Sequence, residues 1–95
     1  MSLEALRSHR RRILELAARH GVRNVRVFGS TARGEAGPQS DIDLLVDVEP
    51  GRTLLDLIGF EQDLEEVLGC SVDVLTDAGL SPYLQERILT EAAAL

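Results

Sequence analysis

Two hydrophobic runs rich in β-branched residues, over about 22–28 and 42–46, and a third stretch over 71–75 in which apolar and polar positions alternate with a period of two, predict three short strands. Between them the period lengthens. Leu3, Leu6, Ile13, Leu14 and Ala17 recur at helical spacing, so one helix is expected over 3–20, with Gly21 as the residue that ends it. Thr53 with Asp56 resembles a helix start. From there Leu54, Leu57, Ile58, Leu64, Val67 and Leu68 are expected to line one face, with Asp56, Asp63, Glu65 and Glu66 largely opposite, in a second long helix ending near Gly69. Ser81-Pro82 reads as the cap and first residue of a last helix in which Leu80, Leu84, Ile88 and Ala92 recur every four residues. Residues 31–40 are too polar and glycine-rich for a buried element and suit one helical turn followed by a loop. Pro50-Gly51 closes the second strand. The expected architecture is a single α/β domain over 1–95, a small sheet with helices packed on it and no internal repeat or linker.

Alternation within the second strand sorts its side chains. Ile42, Leu44, Val46 and Val48 form an apolar face that belongs in a core, while Asp41, Asp43, Leu45 and Asp47 share the other face, toward solvent. Two aspartates one pleat apart have α-carbons roughly 6.7 Å apart, from a rise of about 3.3 Å per residue. They repel unless a cation lies between them. Oxygen-only ligands favour magnesium or manganese over zinc, and a pair of such ions clamps the oxygens of a phosphoryl or nucleotidyl displacement. Asp73 is the lone acidic residue of the third strand, between Val72 and Val74. If that strand neighbours the second at about 4.8 Å, Asp73 completes a triad with Asp41 and Asp43. Asp47 lies roughly 13 Å beyond Asp43 and is a weaker candidate.

Gly29-Ser30 follows the first strand directly, where backbone N–H groups of a turn can face an anion. A side chain at Gly29 would obstruct that approach. Ser30 offers a hydroxyl to terminal phosphates, and Arg33, one helical turn on, offers a forked guanidinium. Each feature alone is common. Together, a strand, Gly-Ser, ten residues, Asp-x-Asp inside a second strand and a later in-strand Asp make a specific constellation.

Composition narrows the setting. Ninety-five residues allow one domain. A net charge of −6 makes the chain a poor general binder of nucleic acid, and no apolar run approaches a membrane span. The basic cluster His9-Arg10-Arg11-Arg12 reads first as a solvated helix face, and His20 as a residue that tolerates a helix C-terminus. No signal peptide is seen at the start, and Cys70, without a partner for an internal disulfide, suits a cytoplasmic setting and a place in the core beside the third strand.

Gly29-Ser30-x10-Asp41-x-Asp43, with Ala32-Arg33-Gly34 in the loop, Ser40 before the first aspartate and Asp73 in a Val-Asp-Val strand, closely resembles the minimal nucleotidyltransferases of the DNA polymerase β-like superfamily. The likeness spans nearly the whole chain. It implies a mixed sheet flanked by helices, and transfer of a nucleoside monophosphate from a magnesium-bound triphosphate, ATP, with release of pyrophosphate. It also implies catalytic and metal-binding roles for Asp41, Asp43 and Asp73 and nucleotide binding by Gly29, Ser30 and Arg33. Members of this type often pair with a HEPN-domain ribonuclease toxin and act as its antitoxin, adding AMP to a tyrosine hydroxyl near the toxin's active site. So short a chain leaves no space for an acceptor domain of its own, which fits an acceptor carried by another protein. Two other readings are a non-catalytic antitoxin that masks its partner, and a small-molecule nucleotidyltransferase. Self-modification at Tyr83 has only that residue's uniqueness as its motive.

Overall fold

The computed structural model describes residues 1–35, 37, 41–76 and 88–95. Runs of β-branched residues form the two longest strands, β1 (Val22–Phe28) and β2 (Ile42–Val48), which pair antiparallel. β3 (Val72–Thr76) lies parallel to β2 on the far side from β1, and the short β4 (Ala93–Ala94) closes the other edge antiparallel to β1, so the sheet is mixed and runs β3-β2-β1-β4. Register is tight where the chemistry lies. Ile42 pairs with Val72, Asp43 with Asp73 and Leu44 with Val74.

In β1 the pairing register shifts between Arg23 and Arg26, and Asn24 adopts a left-handed φ of 51° that Asn tolerates better than most residues. The shift re-phases the strand. Val22, Val25 and Val27 are thereby all buried in the main core, although Val22 and Val25 are an odd number of residues apart.

Helices α1 (Leu3–Arg7), α2 (Arg10–Arg19) and α4 (Leu54–Leu68) cover the apolar face, and α3 (Gly29–Arg33) bridges β1 toward the loop before β2. Leu6, Ile13, Leu16, Ala17, Phe60 and Leu64 interlock with Val27, Ile42, Leu44, Val46 and Val72 in one cluster. α4 begins at Thr53, whose N–H donates to Asp56 Oδ2 at 2.8 Å, as its sequence suggests. Its polar flank is tied to α2 where His20 Nε2 meets Asp63 Oδ2 at 2.7 Å. His20 is thus a structural link, its ring also tilted against Phe60.

Three expectations are corrected. The helix over 3–20 is two helices: the Ser8 N–H bonds to both Glu4 O and Ala5 O, its hydroxyl donates to Ala5 O, and the His9 N–H bonds to Leu6 O, tightening the chain into a turn. On α4, Leu54 and Ile58 do not face the core; they are exposed, as is Leu55, while Phe60 and Leu64 are fully buried. Leu45 does not face solvent, since it is buried outside the main cluster, as is Phe28. β4 has no counterpart in the sequence reading. Of the last helix, residues 88–91 are helical, Ala92 lies just beyond them, and the expected start at Leu80, Ser81-Pro82 and Leu84 falls outside the described residues. Among the described residues, no helix is long and apolar enough to cross a membrane.

Candidate active site

Asp43 stands on β2 on the face opposite the main core, half-buried, with Asp41 exposed just before the strand. Parallel pairing sets Asp73 of β3 level with Asp43. The three carboxylates expected from sequence are therefore neighbours, and they feel one another: burial first, then the charges of Asp73 and Asp41, raises the Asp43 carboxyl above the usual carboxylate range, with Arg33 opposing. Among the described residues no three Asp, Glu, His or Cys side chains are drawn together closely enough to hold a metal ion as they stand. What the site offers is oxygen donors under mutual repulsion, which suits a hard divalent cation and not a soft one.

Gly29 opens α3 with φ +72°, a conformation L side chains rarely adopt. An added β-carbon there would collide with Asp43 Oδ2. The loop backbone thus runs directly against the central carboxylate, and Gly29-Ser30 forms the first residues of a helix whose leading N–H groups have no partner within it. Ser30 is half-buried beside them, and its carbonyl accepts from Glu35 N–H at 2.9 Å.

Arg33 ends α3, and its guanidinium meets Glu35 Oε2 and Glu91 Oε2, each at 3.1 Å. Hydrogen bonding to Glu35 contributes most to raising it above its ordinary value. It lies close enough to act on Asp43. Asp47 is not part of the acidic group. Its carboxylate accepts from Arg26 at 3.1 Å and Asn24 at 3.0 Å, a cross-strand network that uses both of its oxygens. Arg10, Arg11 and Arg12 are exposed, and Arg11 and Arg12 pair with Glu15, as a solvated helix face would. Cys70 packs against the core cluster, half-buried, next to β3. Ser40 and Tyr83 lie outside the described residues.

Two further acidic residues near the site have no functional signal of their own in the sequence. Glu65 of α4 accepts the Val72 N–H at 3.2 Å, and Glu61, one turn earlier, lies near the Val74 N–H, on the other side of Asp73. Burial, then Glu65, then Asp73 raises the Glu61 carboxyl. The only hint in sequence is their four-residue spacing shortly before a strand.

The family profile described as "Nucleotidyltransferase domain" matches residues 6–95. A relative from Methanocaldococcus jannaschii named "Putative protein adenylyltransferase" is 48% identical over 83 residues, covering 87% of this chain and 89% of its own. "Protein adenylyltransferase MntA" from Thermococcus cleftensis is 44% identical over 77 residues, covering 81% and 78%. A solved structure described as "Structure of putative minimal nucleotidyltransferase" is similar with a TM-score of 0.88 at 54% identity, over 100% of this chain and 97% of the other. A second, "Crystal structure of the toxin-antitoxin with AMP-PNP", shares the fold with a TM-score of 0.75 at 22% identity, over 88% of this chain and 69% of the other.

Proposed function

Since the chain belongs to the nucleotidyltransferase domain family, we propose that it moves AMP from magnesium-bound ATP to a hydroxyl on a partner protein. The observation that carries this reading is the pairing of Asp43 with Asp73 in adjacent parallel strands while the Gly29 backbone abuts Asp43. Donor phosphates and carboxylates would then meet at one point. The names of the relatives, protein adenylyltransferases, support ATP as donor and protein as acceptor.

Each residue has a role in this reading. The N–H groups of Gly29 and Ser30 and the Ser30 hydroxyl bind the terminal phosphates, and Gly29 keeps the approach open. Magnesium, or manganese in its place, would be held by Asp41, Asp43 and Asp73, neutralising the triphosphate's charge and polarising the phosphoryl group to be transferred. The acceptor hydroxyl oxygen forms a bond to the α-phosphorus as the bond from that phosphorus to the bridging oxygen of the β-phosphate breaks. Pyrophosphate leaves. The hydroxyl proton passes to the Asp73 carboxylate when that group is not occupied as a ligand. Arg33 steadies phosphate charge, exchanging one of its two glutamate partners to do so.

The partner assigned is the HEPN-domain toxin of a two-gene toxin–antitoxin pair, with a toxin tyrosine as acceptor, in the cytoplasm where ATP is found. Incubation of the purified chain with ATP, magnesium and the co-expressed partner should add multiples of AMP mass to the partner in intact-mass spectra. No addition with any divalent ion would overturn transfer. The net charge of −6 favours one other reading, in which the chain silences a basic partner by covering it. Rescue from toxicity by the Asp41→Ala/Asp43→Ala double variant would select masking, and loss of rescue would select transfer.

A further inference from the structure

Among the described residues β3 is an edge strand, so alternate N–H groups along it point away from β2 and no described strand receives them. The Ile42 N–H donates to Ser71 O at 3.0 Å, which turns the backbone groups of Ser71 toward β2 and those of Val72 and Val74 outward. α4 supplies a carboxylate to each side of this edge. Val72 N–H donates to Glu65 Oε2 at 3.2 Å, and the Glu61 carboxylate, one turn earlier, lies near enough to the Val74 N–H for that amide to favour its charged form. Four residues of helix rise about 6 Å. Two residues of strand rise about 6.7 Å, so successive turns of α4 match successive outward amides of β3. The residue between the two is Asp73.

We propose that Glu61 and Glu65 are positioning residues, a side-chain substitute for the missing strand that holds β3 in register and thereby keeps the Asp73 carboxylate beside Asp43. The inference rests on the assignment of Asp73 to the site. A five-residue strand paired on one side only opens at low cost unless something secures its free edge. The support is firm, because the neighbours of the two glutamates, Phe60 and Leu64, are fully buried and fix α4 against the sheet. Concentrating two acids near Asp73 is itself unfavourable, and the backbone N–H groups of Val72 and Val74 beside them offset that repulsion.

The test uses the full chain with Glu61→Ala/Glu65→Ala and Glu61→Gln/Glu65→Gln, since glutamine keeps a carbonyl acceptor and removes the charge. Amide hydrogen exchange at Val72 and Val74 is read by NMR, alongside the Mn²⁺ concentration for half-maximal AMP transfer. The alanine pair should speed exchange at both amides about tenfold and raise the Mn²⁺ requirement about tenfold, the scale seen when groups that orient ligands are removed. The glutamine pair should stay close to the parent in both. Where the double alanine variant loses the fold, Glu65→Ala alone should show the same effect at Val72. A glutamine pair as impaired as the alanine pair would overturn the proposal, because charge and not the backbone bond would then be responsible. Faster exchange with no change in Mn²⁺ requirement, while Asp73→Ala abolishes transfer, would overturn it as well. Transfer surviving Asp73→Ala would instead remove the assignment beneath it.

Discussion

A carboxylate oxygen of Asp43 occupies the space that a β-carbon on Gly29 would need. Loop and strand are therefore in contact through the one residue that has no side chain to interfere. Gly29→Ala meets two penalties there, the collision and a φ of +72°, the second alone worth about 1–2 kcal/mol. The variant is expected to melt lower and to lose most AMP transfer, as read by thermal unfolding and intact-mass spectrometry.

Asp43 should trade stability for chemistry. Its folded carboxyl is raised by burial and by Asp73 and Asp41, so between the ordinary carboxylate range and the raised value the folded state binds more protons than the unfolded one. Stability then falls as pH rises through that window, and the deficit is complete above it. Asp43→Asn removes the deficit. In metal-free buffer at neutral pH it is expected to melt above the parent, with the advantage vanishing in acid below the window, while transfer is lost; a melting point below the parent's would contradict this account of the site.

Asp47 provides the contrast. It shares a strand with Asp43, but its oxygens serve Arg26 and Asn24. Arg26 is only 16% exposed, so Asp47→Ala weakens the cross-strand network. A loss of about 1 kcal/mol, near the upper end for a partly exposed pair, is expected in denaturant unfolding. AMP transfer per folded molecule should be unchanged.

Phe60 is the largest fully buried side chain and joins α4 to the sheet and to the His20 ring. Phe60→Ala should cost about 3–5 kcal/mol, close to the whole stability of a domain this small. Circular dichroism should show a chain largely unfolded near physiological temperature.

Phe60 also marks where sequence reading reaches its limit. Strands β2 and β3 and the Asp41–Asp43–Asp73 group follow from the acidic residues set at every second position among apolar ones, so the face that carries the carboxylates could be deduced, whereas Leu45 on that same face is apolar and buried and its position says nothing of what covers it. In α4 the apolar residues continue past the width of the stripe that meets the sheet, and spacing, which places Leu64 inward, does not say that Phe60 joins it while Leu54, Leu55 and Ile58 face out. The break at Ser8 is hidden because Leu6 and Ile13 fit either one helix or two. The shift at Asn24 depends on a backbone conformation that a residue type permits but does not demand. β4 is two alanines with no pattern to read. Glu61 and Glu65 look like solvated helix positions until the edge of β3 is placed beside them.

The central claim is that Asp41, Asp43 and Asp73 together take up divalent cation with the triphosphate beside Gly29-Ser30. Calorimetric titration of Mn²⁺ in the presence of a non-hydrolysable ATP analogue tests it most directly, comparing the parent chain with Asp41→Ala/Asp43→Ala and with Asp73→Ala. The account predicts nucleotide-dependent uptake by the parent, none by the double variant and weakened uptake by Asp73→Ala. Equal uptake by all three, or no uptake by the parent, would contradict it.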